Sequence, residues 1–95
     1  MKYSEQLALA RANNIDIFAL HIADETGAIF GENHPDYEDL CAVMYELYMH
    51  TYHMSCETLG NALRYALEHE GIKLANVRKH SKEFDLVVEL ACSMD

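Results

Sequence analysis

Apolar positions follow two periods along this chain, and the predicted elements divide on which period prevails. From Leu40, the residues Met44, Leu47, Thr51 and Met54 fall within about 40° of one line at 100° per residue, which predicts a helix with its core stripe there. His34-Pro35-Asp36 opens it: proline suits a first turn, and Asp36, Glu38 and Asp39 complement the positive end of the helix dipole. Leu59, Ala62, Leu63, Ala66 and Leu67 repeat at i, i+3, i+4, i+7 and i+8, behind a Ser55 cap and ahead of Gly71. This predicts a further helix over SCETLGNALRYALEHE, either separate from the first or continuous with it.

Elsewhere the pattern reads as strand. Phe84, Leu86, Val88, Leu90 and Cys92 alternate with Asp85, Val87, Glu89 and Ala91, a period of two over nine residues. IKLANVRK before it reads as its partner strand, with His80-Ser81-Lys82-Glu83 as the hairpin loop. The run IDIFALHIA (residues 15–23) is apolar except for Asp16 and His21 and predicts a buried strand. A helix with Ile15, Phe18, Ala19 and Ile22 on one face fits the same run. DETG then reads as a hairpin turn with Gly27 in the left-handed conformation, leading into a short strand AIFG. Ser4 ahead of EQLALARA predicts a short N-terminal helix ending near Asn13-Asn14. The expected architecture is one α+β domain over residues 1–95, in the order α-β-β-α-α-β-β. An antiparallel sheet of about four strands would carry the helices on one face.

Composition changes this picture little. The 95 residues are 51% apolar, enough for one modest core without a disulfide or metal staple. Cys41, Cys56 and Cys92 are odd in number, widely spaced and without a CxxC pair, which predicts free thiols in a reducing cytoplasm. The first residues are too polar for a signal peptide, and no apolar run approaches the length of a membrane span.

Charge changes it more. The net charge is −9, yet residues 12–63 contain no lysine or arginine and hold Asp16, Asp24, Glu25, Glu32, Asp36, Glu38, Asp39, Glu46 and Glu57. The whole imbalance therefore belongs to one half of the chain. Direct binding of DNA or RNA is disfavoured, because neutralising phosphates takes lysine and arginine. An acidic surface fits a basic protein partner instead. This predicts a small cytoplasmic interaction protein, in one form an inhibitor or nucleic-acid mimic of the phage or mobile-element type. Its partner-binding residues would be Asp36, Glu38, Asp39, Tyr45, Glu46, Tyr48, Met49 and Tyr52. Tyrosine and methionine suit such a face because they pack well while tolerating water.

The stretch YMHTYHMSC (residues 48–56) suggests other chemistry. On one continuous helix, Glu46, His50, His53 and Glu57 lie within about 60° of each other, roughly 110° from the core stripe. Two carboxylates and two imidazoles are competent for zinc or another first-row ion. Ligands on successive turns of one helix stand in a line, so a tetrahedral site would need a further ligand from elsewhere, such as His21, His34 or a second subunit. The histidines also fit as solvated partners of the two glutamates. No HExxH motif, paired CxxC motif, phosphate-binding glycine loop or activated thiol is present, and no enzyme activity is expected. A homodimer with Tyr45, Tyr48 and Tyr52 along its seam is a further expectation.

Overall fold

The structure, a computed structural model, describes Glu5, residues 17–52 and residues 54–94. Four helices make up the described fold: α1 Ile17–Phe30, α2 Tyr37–Thr51, α3 Cys56–His69 and α4 Lys82–Met94. A single 3₁₀ turn, Leu74–Asn76, lies between α3 and α4. α1 packs on α2 and α3, α4 packs chiefly on α3, and α2 touches α3, α4 and the 3₁₀ turn. The N-terminal helix expected after Ser4 lies outside the described residues except for Glu5.

No strand occurs among the described residues, so the expected α+β sheet is replaced by an all-helical arrangement. The correction is clearest in FDLVVELAC. As a strand it would turn Val87 and Ala91 away from the face shared by Phe84. As helix α4 it buries Phe84, Val87 and Ala91 together, at i, i+3 and i+7. A buried side chain of valine or phenylalanine size gains about 1.5–3 kcal/mol over an exposed one, so the helical period wins once α3 supplies the partner surface. The local signals agree. Ser81 Oγ accepts the backbone N–H of Phe84 at 3.0 Å, and Glu83 and Asp85 occupy the first turn.

Residues 17–23 of the run IDIFALHIA also fold as helix, within α1, as do DETG and AIF. Ile22, Ala23 and Thr26 are buried, and Ile29 and Phe30 are half-buried one turn further on. Thr26 is accommodated because its Oγ1–H donates to the Ile22 carbonyl at 2.6 Å. Gly27 therefore sits inside the helix and makes no turn. The left-handed glycine is Gly31, at φ +93, whose N–H closes α1 on the Gly27 carbonyl at 2.9 Å. IKLANVRK forms only the 3₁₀ turn, with Val77 buried behind it.

The two expected helices stand, and they are separate. α2 stops at Tyr52, which has φ 61 and donates its N–H to the Tyr48 carbonyl. A tyrosine is strained in that region, at a cost on the order of 1–3 kcal/mol. Ser55 then caps α3, accepting the Thr58 N–H at 3.1 Å. Beyond α3, Gly71 takes φ +66.

Leu40, Val43, Met44 and Leu47 of α2 meet Leu59, Leu63 and Ala66 of α3 and Phe84 and Val87 of α4 in the main core. A smaller buried group, Ala23, Tyr37 and Cys41, joins α1 to α2. α1 comes close to α3 at Gly60, where any Cβ would run into the Ile29 side chain.

Candidate functional site: the exposed face of α2

With the core side of α2 fixed by Leu40, Met44 and Leu47, its opposite face is set by geometry. Glu38, Asp39, Ala42, Glu46 and Met49 are exposed and lie within about 100° of one another. Half-buried Tyr45 and exposed His50 border this strip on its two sides. Fifteen residues of helix make the strip about 22 Å long, at 1.5 Å per residue. Asp36 extends it at the N-terminal end, where it is exposed and makes no side-chain cap.

The expected partner-binding residues are thus partly brought together. Asp36, Glu38, Asp39, Tyr45, Glu46 and Met49 share the strip or its edge. Tyr48 does not: it turns toward α1, where its ring lies 6.4 Å from those of Phe18 and His21. Tyr52 lies beyond the end of the helix and is 74% exposed. Tyr45, Glu46, Met49, His50 and Tyr52, together with Lys79, line a hollow of about 340 Å³.

The sequence offered no hint of the neighbour to this strip. The Lys79 backbone N–H donates to Glu46 Oε2 at 3.3 Å. Arg78 and Lys79 also line a groove with Asp39, Ala42 and Glu46, so a basic loop runs along one edge of the acidic helix. Charge is therefore segregated more sharply by position along the chain than by position in space.

The residues considered for zinc separate. Glu46 and His50 are on α2, Glu57 is in the first turn of α3, and His53 lies outside the described residues. The break at Tyr52 removes the continuous helix on which the four would have shared a face. The His50 ring lies edge-on to Phe84, with centroids 5.3 Å apart. Among the described residues no three His, Cys, Asp or Glu side chains are grouped to hold a metal ion.

The cysteines are free. Burial pushes the Cys41 thiol up; hydrogen bonding with Tyr37 and Thr26 offsets part of this and Glu38 adds to it. Burial also raises Cys56, with Glu25 contributing. Since the thiolate is the nucleophile, neither thiol is tuned for attack. Among the described residues no helix is long and apolar enough to cross a membrane.

Comparison of the chain with protein families, curated proteins and solved structures finds no match.

Proposed function

We propose that this chain is a small acidic interaction protein that docks the exposed face of α2 on a basic surface of a protein partner, in the cytoplasm. The observation that carries the reading is the composition of that face. Carboxylates from Asp36 to Glu46 share a strip about 22 Å long with Ala42, Tyr45 and Met49, and Met49 is 46% exposed. Carboxylates steer a basic partner and set its orientation, while methionine and tyrosine supply packing at the centre of contact.

Magnitude separates two forms of this reading. B-DNA presents about one charge per 1.7 Å of axis. Asp36, Glu38, Asp39 and Glu46 present about one per 5–6 Å along α2, at 1.5 Å per residue. Close imitation of a phosphate backbone needs a denser array, so an inhibitor that uses charge for steering fits better than a full nucleic-acid mimic.

The test is capture of partners by the intact chain, beside a variant carrying Glu38→Lys, Asp39→Lys and Glu46→Lys. Proteins retained by the wild type should fall away as salt is raised and should be absent from the variant. Retention that ignores both salt and charge reversal overturns the reading. A solution mass of twice the monomer, abolished by Met49→Asp, assigns the strip to a homodimer instead.

A further inference from the structure

A further concavity lies at the opposite end of the α2 region. The end of α1 (Ile29, Phe30), the start of α2 (Leu40), the end of α3 (Leu67) and the 3₁₀ turn (Leu74) enclose a cleft of about 370 Å³. Leu40 is fully buried at its base, whereas Ile29, Phe30, Leu67 and Leu74 are each left half-buried. These walls hold apolar surface that the fold itself does not cover, and filling the cleft would remove it from water. The volume is at the low end for a small-molecule site, so it suits one or two side chains better than a cofactor.

The rim says what kind of chain would bring them. His34, Asp36, Arg64 and Glu68 stand around the mouth, and Arg64 is drawn aside to Asn61 Oδ1 at 3.2 Å. His34 and Asp36 also line a neighbouring hollow of about 330 Å³ that contains Glu32, Glu38 and Asp39. Among the described residues no Lys, Arg or His lies within ion-pair distance of Glu32, Asp36, Glu38 or Asp39. An apolar pocket thus opens beside four carboxylates that make no ion pair among the described residues, with Arg64 at the same rim and Arg78 and Lys79 bordering Asp39. That combination is complementary to a bulky apolar residue flanked by basic ones.

We infer that the cleft between α1, α2, α3 and the 3₁₀ turn receives a leucine- or phenylalanine-sized anchor from a basic segment of the partner. The flanking lysines or arginines of that segment lie over Glu32, Asp36, Glu38 and Asp39. The inference rests on the reading of a basic partner and adds to it a contact that salt does not screen. It also separates from that reading, because the cleft lies apart from Glu46 and Met49.

The experiment titrates the intact, ¹⁵N-labelled chain with three capped pentapeptides: Lys-Lys-Leu-Lys-Lys, Lys-Lys-Ala-Lys-Lys and Glu-Glu-Leu-Glu-Glu. The leucine peptide should shift amide signals of Phe30, Leu67 and Leu74. The alanine peptide should bind about fifty-fold more weakly, as the loss of three buried apolar carbons implies, and the acidic peptide should not bind. Leu74→Gln, in the 3₁₀ turn, should weaken the leucine peptide, while Cys92→Ser, at an exposed position of α4 away from the cleft lining and the acidic strip, should leave it unchanged. If Leu74→Gln unfolds the chain, the three-peptide comparison on the wild type still decides. Equal binding of the leucine and alanine peptides overturns the inference, as do shifts confined to Tyr45, Glu46 and Met49. Occupation of the cleft by decanoate when no peptide enters also overturns it. Failure of the docking reading looks different: partner capture would then survive the Glu38, Asp39 and Glu46 reversals.

Discussion

On one side of α2, Leu40, Val43, Met44 and Leu47 meet Leu59, Leu63, Phe84 and Val87 in an interior built from apolar side chains. On the adjoining flank that faces α1, Tyr37 and Cys41 meet Ala23 and Thr26, and that interior is held by directed bonds. The Tyr37 hydroxyl donates to the Ala23 carbonyl at 3.0 Å, fourteen residues back along the chain, and so joins α2 to α1. Among the described residues no buried side-chain nitrogen or oxygen lacks a hydrogen-bond partner. The first interior draws its stability from the area removed from water, and a truncation there costs in proportion to the void it leaves. The second contributes less energy. It instead ties α1 to α2 by directed contacts, from Tyr37 to the Ala23 carbonyl and from Cys41 to Thr26.

The sharpest way to break this contrast is Phe84→Ala. Phe84 is fully buried, and its loss should cost about 3–5 kcal/mol in urea unfolding, a large part of what a domain this size has. A cost below about 1 kcal/mol would show that α4 does not share the main core. Gly60→Leu comes next, at about 1–3 kcal/mol, because its side chain must displace Ile29 where α1 meets α3. Tyr37→Phe should cost about 1 kcal/mol globally. It should nevertheless accelerate hydrogen exchange in α1 more than in α3 or α4, and uniform acceleration would deny the second interior its separate role.

The smallest effect appears only at alkaline pH. Burial holds the Tyr37 phenol well above its ordinary range, with the Cys41 hydrogen bond and the nearby Cys41, Glu32 and Asp24 charges adding to it. The Cys41 and Cys56 thiols are raised as well. These groups keep their protons in the folded chain at pH values where the unfolded chain has lost them. Stability is therefore complete below the ordinary thiol range of about 8.5, falls as pH rises above it, and falls further past about 10 as the phenol joins. Cys41→Ala and Cys56→Ala should flatten the first part of that decline and Tyr37→Phe the second. A wild-type urea midpoint unchanged from pH 8 to 10.5 would contradict the burial of all three.

Only parts of this molecule are legible from its residues. α2 and α3 can be read because Ser55, Gly71 and the i, i+3, i+4 repeats all agree. α4 misleads because nine residues satisfy two periods at once, and a partner surface on α3 decides between them. Ser81, three residues before Phe84, was the local signal that favoured the helix. α1 misleads for a different reason: most of its positions are apolar, so neither period stands out, and burial of Thr26 shows only when its bond to Ile22 is seen. The acidic strip was legible because it follows one helix, although Tyr48 turned out to face α1. The cleft is not, since Ile29, Leu40, Leu67 and Leu74 come from four elements and the pattern around the first reads as strand.

The absence of a side chain at Gly60 has a consequence for the shape of the cleft. Ile29 presses into that notch and, with Phe30, also forms one wall of the cleft. An alanine at position 60 would oblige the Ile29 side chain to shift, and with it one wall of the cleft. A residue outside the lining of the cleft thereby sets the position of one of its walls.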